Sequence, residues 1–312
     1  MTKRKPDQTK SDVSVASDKK RIKIKQIESI IPDLKYYSRL SKSKVSIPSA
    51  FHKTHRPEFI KGLEFVLNKD PSLDAYIKQG PFDSGLKTAT KVDEKDSEFY
   101  FEKLASGLIS QQLSGKAASS IKQKLVENVS QDGKSFPLTS DFYSRKEEEL
   151  RTYGLSMKKG EYIRRLSKAF MKDFDIDEIE EGVKFDKDYF SKIDDVNLRL
   201  DLEKFKGVGP WSSSMFAMFA MGRLDIFEAS DLGIRRGFTV YLKNRPELQK
   251  EVEGLFSEGT VSRMKRKPSI GKQKYINDYE LMNVVAHQFK PYRSVFMFVL
   301  WRMSDTIVEA LT

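Results

Sequence analysis

The chain has 312 residues, 38% of them hydrophobic, enough for one large domain or two small ones with a substantial core. Cysteine is absent, which excludes disulfides, thiol nucleophiles and a Cys-ligated iron–sulfur cluster. The three histidines, His52, His55 and His287, argue against a His-rich metal site, and without an apolar run of about 18 residues we expect a soluble, intracellular protein with no membrane partner. The net charge is +11, but residues 1–25 carry +6 and residues 261–276 another +6, leaving −1 elsewhere. Bulk basicity therefore says little about the folded part, and function has to be argued from a site.

Residues 1–25 are polar, basic and without periodicity, and are expected to be a disordered tail. The run Lys19-Lys20-Arg21-Ile22-Lys23-Ile24-Lys25 reads equally as a nuclear localisation signal or as a plain solvated tail. Residues 26–312 are expected to form the helical, folded part. Across 26–96, Phe59, Leu63 and Val66 recur at helical spacing behind Pro57, which can open a helix, while Pro71, Pro81 and Gly85 punctuate the chain. From Glu98 to Ile109, the residues Phe101, Leu104, Ala105, Leu108 and Ile109 share one helical face. The pattern breaks at Ser110-Gln111-Gln112-Leu113-Ser114-Gly115, where Ser114 can cap a next helix bearing Ala117, Ala118, Ile121 and Leu125. On composition alone Gln111 and Gln112 are residues of a solvated loop. Gly154 to Gly160 reads as a glycine-bounded loop holding Lys158 and Lys159, either a simple turn or a phosphate contact. A helix with Tyr162, Ile163, Leu166 and Phe170 follows, and then an acidic stretch from Asp173 to Asp195 that makes a poor face for a polyanion.

Residues 198–236 carry most of the information. Leu198, Leu202 and Phe205 recur at helical spacing up to Gly207, where a helix is expected to end. Gly207-Val208-Gly209 offers two residues able to take positive φ, and Pro210 can open the next helix, so 198–221 reads as a helix–hairpin–helix. The turn leaves backbone N–H groups exposed, and such donors bind phosphate oxygens. The second helix, Pro210 to Met221, is apolar almost all round and is expected to be buried. Asp231 stands directly before another helix, where it reads either as an N-cap or as a functional carboxylate, with Asp225 and Glu228 as acidic neighbours. After a helix ending near Leu242 we expect a short polar stretch and, at 261–276, a flexible basic insert. The last apolar helix follows Pro291, and its Arg293 and Arg302 need partners.

A glycine hairpin followed by one carboxylate resembles the signature of the helix–hairpin–helix, Gly/Pro-rich-loop, Asp (HhH-GPD) superfamily of DNA glycosylases. The wording around it is most similar to the fungal 3-methyladenine DNA glycosylases, related to the bacterial type II enzymes. The resemblance runs from about Arg56 to the C-terminus, with Ala229 standing where many relatives have proline. It implies an all-α, two-lobed helical fold with the active site in the cleft between lobes. It also implies a monofunctional glycosylase of base excision repair that flips alkylated purines, 3-methyladenine and 7-methylguanine, out of damaged double-stranded DNA and hydrolyses the N-glycosidic bond. Asp231 would be the catalytic residue, and Trp211, Met215 and Trp301 would line the base pocket. Gln112, with Leu113 beside it, would be the wedge that fills the hole left in the duplex. Gly207, Val208, Gly209 and Ser212 would form the phosphate-binding hairpin. Main-chain carbonyls of Glu203, Phe205 and Val208 would hold a Na+ or K+ ion, with no other cofactor. Lyase-competent relatives carry a lysine where this chain has Trp211, so no lyase step is expected. A monomeric, nuclear protein completes the expectation. A glycosylase for another damaged base, or a non-catalytic DNA-binding module, would share the hairpin and remain the alternatives.

Overall fold

The computed structural model describes residues 30–40, 46–82, 96–261 and 276–304. The basic tail at 1–25 and almost all of the insert at 261–276 lie outside the described residues. Every regular element among those described is helical, and none of the helices is long and apolar enough to cross a membrane. The chain divides into two compact units, one built mainly from Ala89–Met221 and the other from Ile22–Thr88 with Gly222–Ala310.

The second unit begins with α1 (Lys35–Arg39), α2 (Ser49–Thr54), α3 (Pro57–Lys69) and α4 (Asp74–Ile77). Pro57 opens α3, as its missing N–H permits. Phe59, Leu63 and Val66 are fully buried along that helix, the face that the helical spacing predicts.

The first unit contains α5 (Ser97–Ser110), α6 (Gly115–Asn128), α7 (Thr139–Ser144), α8 (Glu147–Thr152), α9 (Met157–Phe170), α10 (Lys187–Lys192), α11 (Asp195–Leu202) and α12 (Pro210–Phe219). Ser114 caps α6 by accepting the Ala117 N–H. An aromatic cluster holds the unit together: Tyr100 stacks on Phe190 with centroids 4.2 Å apart, and Phe170 meets Phe185 at 4.9 Å. Such pairs add about 0.5–1.5 kcal/mol each beyond the area they bury. Two expectations are corrected here. The expected 154–160 loop stops at Ser156, which caps α9, so Lys158, Lys159 and Gly160 already lie in the helix. The first hairpin helix ends at Leu202 rather than at Gly207. Turns closed by Lys204 N–H to Asp201 O and Phe205 N–H to Leu202 O follow it, and they keep Phe205 pointing inward at 2% exposure, which is why the apolar period outlasts the helix.

The rest of the second unit is α13 (Leu232–Lys243), α14 (Pro246–Ser257), α15 (Tyr279–His287) and α16 (Arg293–Met303). Nearly every residue of α16 is buried, and α13 packs across it. A Cβ built on Gly237 would stand 1.9 Å from the Leu300 carbonyl oxygen, so glycine alone lets the two backbones approach this closely. The stretch expected to be short and polar before the insert is in fact α14, whose buried side is only Leu248 and Val252. Both arginines of α16 find partners. Arg293 grips the Asp225 carboxylate in a two-pronged ion pair, with Nε to Oδ1 at 2.7 Å and Nη2 to Oδ2 at 3.1 Å. Arg302 donates to the carbonyls of Tyr76, Ile77, Gly80 and Pro81 while lying over the Phe82 ring.

Candidate active site and nucleic-acid interface

The hairpin sits in the first unit. Gly207 takes φ +89, and a Cβ there would meet the Tyr162 ring at 2.5 Å, so both backbone conformation and packing demand glycine. Gly209 is different. Its φ of −98 and ψ of 178 are open to any residue, and nothing lies within 4 Å of the Cβ it lacks. Only one of the two expected positive-φ glycines is therefore required by the fold itself. Gly209 is the N-cap of α12 and supplies no side-chain cap, which leaves that helix's first turn with backbone donors and the positive end of its dipole. Val208 is buried, and its N–H closes the turn onto Phe205 O at 3.0 Å.

The helix after the hairpin is not buried all round. Trp211 is 41% exposed, whereas Met215 is 2% exposed and packed inward. Beside Trp211 lies a shallow hollow lined by Leu104, Leu108, Val208, Ser212 and Phe216.

The loop between α5 and α6 is tied directly to the hairpin. Gln111 Nε2 donates to Gly207 O at 2.9 Å and to Ser212 Oγ at 3.1 Å. The hydroxyl of Ser212 thus serves the protein's own loop. Lys159 Nζ, whose pKa burial pushes down, donates at 2.7 Å to both Ile109 O and Gln111 O. Between these ties, Gln112 is exposed and adopts φ +58, the left-handed region that L side chains seldom occupy. Leu113 follows at 40% exposure. Of the two glutamines expected on composition to be solvated, Gln112 is exposed, whereas Gln111 is tied to the hairpin. Neither tie was legible, because Gln111 and Lys159 act across long sequence separations.

The carboxylate sits in the second unit. Asp231 N–H closes a tight turn onto Glu228 O at 3.2 Å, so the turn forms without the proline that Ala229 replaces. Asp231 Oδ1 accepts the Ile234 N–H at 2.8 Å, capping α13, and also the Trp301 indole N–H at 2.8 Å. The N-cap reading of Asp231 is thereby met, and the indole donor holds the same oxygen. Trp301 is 3% exposed, packs edge-on against Phe298 and donates its indole N–H to Asp231, a contact its place on an apolar helix did not announce. The acidic neighbours have structural work: Asp225 holds Arg293, and Glu228, 6% exposed, accepts from Ser230 N–H and Oγ–H.

Comparison with known proteins converges on one group. The family model of the HhH-GPD superfamily base excision DNA repair proteins matches residues 105–260. The chain is 37% identical over 277 residues to the DNA-3-methyladenine glycosylase of Saccharomyces cerevisiae, spanning 86% of this chain and 87% of that one. Two solved structures share the fold: a DNA-3-methyladenine glycosidase from Bacillus halodurans, with TM-score 0.52 and 23% identity over 81% of this chain and 91% of that chain, and the Schizosaccharomyces pombe 3-methyladenine DNA glycosylase in complex with abasic DNA, with TM-score 0.51 and 21% identity over 78% and 97%.

Proposed function

This chain belongs to the HhH-GPD superfamily of base excision DNA repair proteins, and we propose that it is a monofunctional DNA-3-methyladenine glycosylase. Its substrates would be N-alkylated purines such as 3-methyladenine and 7-methylguanine in double-stranded DNA. The observation that carries this reading is Asp231, an N-cap carboxylate held on one oxygen by a helix N–H and an indole N–H.

The chemistry asks little of the protein beyond that group. A purine alkylated on a ring nitrogen carries positive charge, so its glycosidic bond is already weak and the base leaves without a strong acid. Positive charge builds on the deoxyribose as the bond breaks. Asp231 would stabilise it and orient the water that attacks. Its two donors keep the carboxylate in place without solvent reorganisation. Trp211, exposed on α12, offers a ring face to the electron-poor base, an attraction of about 0.5–2 kcal/mol. Met215 and Trp301 are buried and would contribute walls rather than faces. The base must first leave the stack, and Gln112 with Leu113 would fill the gap it leaves. The missing Cβ of Gly209 opens the N-terminus of α12 to a phosphate, giving contacts that hold the strand and carry no sequence information.

At the hairpin, the carbonyls of Glu203, Phe205 and Val208 would hold a monovalent cation. Phe205 O accepts from Val208 N–H and keeps a second lone pair, which supports this reading. When bound, the ion would add positive charge beside a phosphate. No amine stands at Trp211, which supports hydrolysis without a lyase step. The basic run at 19–25 would serve nuclear import, and the protein would act as a monomer.

The test is release of 3-methyladenine and 7-methylguanine from methylated duplex by the unmodified protein and by Asp231→Asn, with DNA binding measured beside it. Release by the first and binding without release by the second is the expected result. Binding by both with release by neither would make this a passive DNA-binding module, and a borohydride-trapped adduct would contradict hydrolysis.

A further inference from the structure

Lys159 occupies an electrostatically poor place. It is the third residue of α9, behind the Ser156 cap whose hydroxyl accepts its N–H, and a cation in a first turn faces the positive end of the helix dipole. Its ammonium group is turned instead to the opposite end of another helix, α5, where it donates to Ile109 O and Gln111 O. Those are carbonyls of the last turn and the C-cap, the orphan acceptors of a helix end. A cation there is favourable on both counts, dipole and hydrogen bonding.

The next residue explains why such a brace is needed. Gln112 takes the left-handed conformation just past the C-cap, a place where helices usually put glycine. A strained residue persists only where its surroundings over-determine it. Here Lys159 pins the carbonyl before it, and the Gln111 side chain pins the loop to Gly207 O and Ser212 Oγ. The turn from Ser110 O to Leu113 N–H, 3.2 Å, closes the other side. Two of the three donors of the ammonium group are thus engaged by protein carbonyls.

We propose that Lys159 is a positioning residue for base extrusion: it holds the Gln111–Gln112 backbone in the conformation that projects Gln112, and so sets how readily a paired nucleotide leaves the duplex. The inference rests on the glycosylase reading above, and adds to it a residue that touches neither the base nor the sugar.

A positioning role of this kind depends on how hard the nucleotide is to extrude, whereas a general loss of folded protein does not. Base release is therefore measured under single turnover for the unmodified protein, Lys159→Met and Lys159→Arg. Two duplexes are used, one with the alkylated purine correctly paired and one with it opposite an abasic site. Melting temperature is recorded for each variant. Lys159→Met is expected to slow release from the paired duplex on the order of tenfold or more, the worth of a hydrogen bond from a charged donor, and release from the unpaired duplex by less than about a third of that factor. Lys159→Arg, which restores cationic donors, recovers most of the loss. Should Lys159→Met not fold, Gln111→Leu removes the other tie and carries the same expectation. Equal losses on the two duplexes, or no loss on either, would overturn the positioning role while leaving the activity standing. An unmodified protein that frees no base from either duplex would instead overturn the activity, and this inference with it.

Discussion

Gly237 of α13 lies against the backbone of Leu300 on α16, so close that a Cβ would stand 1.9 Å from the carbonyl oxygen. Both helices carry residues proposed for the site: Asp231 caps α13, and Trp301 follows Leu300 on α16. Gly237→Ala should therefore cost at least the upper part of the roughly 1–3 kcal/mol typical of overpacking, since backbone rather than a side chain must move. Gly254 in α14 is the control, because nothing lies within 4 Å of its missing Cβ. Gly254→Ala should stabilise by up to about 1 kcal/mol through helix propensity. Urea unfolding of both variants reads the difference, and similar effects of the two would remove the close approach as an explanation.

The indole of Trp301 gives a second prediction. Trp301→Phe keeps an aromatic ring in the core but deletes the N–H that Asp231 Oδ1 accepts. A hydrogen bond to a charged group is worth about 1.5–3 kcal/mol, so single-turnover base release should fall on the order of tenfold. Affinity for undamaged duplex should hold, because the change touches no hairpin donor. Loss of affinity equal to the loss of rate would point to unfolding instead.

Alkaline pH should expose a buried network in the second unit. Tyr241 Oη–H donates to Asp70 Oδ2 at 2.7 Å, Tyr37 and Tyr241 share a hydrogen bond of 2.9 Å, and Arg245 pairs with the same carboxylate oxygen at 3.1 Å. Burial pushes the phenol pKa values of Tyr37 and Tyr241 well above 10. The unfolded chain releases these protons near pH 10 and the folded chain does not, so the folded state binds more protons above that point. Stability from the two phenols is complete below about pH 10 and is lost as pH rises beyond it. Denaturant unfolding between pH 8 and pH 11 should show that decline, and Tyr37→Phe should make it shallower. Arg245→Met, which strands the Asp70 charge, should cost about 3–5 kcal/mol at neutral pH.

The candidate site residues differ sharply in how far the chain announces them. Gly207, Pro210 and Asp231 stand out because a turn, a helix start and a carboxylate before a helix each demand few residue types. Phe101 to Leu125 were legible by period alone, broken by a capping serine. Helix α14 was not: only Leu248 and Val252 are buried on it, and with Glu247, Gln249, Lys250, Glu251 and Glu253 around them the pattern reads as a polar stretch. Gly237 is silent in the sequence, since its necessity lies in the backbone of another helix. Lys159 misleads, because lysine beside glycine suggests a solvated turn. Its acceptors lie 48 and 50 residues away, and local composition carries no trace of them. Trp301 was placed correctly on a buried helix, but which atom of its ring would matter depended on where α13 crosses.

Gln112 allows strain and side chain to be separated. A non-glycine residue in the left-handed region costs roughly 1–2 kcal/mol, and glycine at the same place escapes that cost while giving up some unfolded-state advantage. Gln112→Gly should then raise stability by up to about 1 kcal/mol, yet lower base release from paired duplex, because nothing remains to fill the gap in the stack. Gln112→Ala keeps the strained backbone and loses the same side chain, so its release should fall alike while its stability stays near that of the unmodified protein. Chemical denaturation and single-turnover release measured on both variants make the comparison. If glycine stabilises without slowing release, the left-handed residue is a structural accident of the loop and the wedge has to be Leu113; if both variants slow release and only glycine stabilises, the protein accepts backbone strain in order to hold this one side chain out to the DNA.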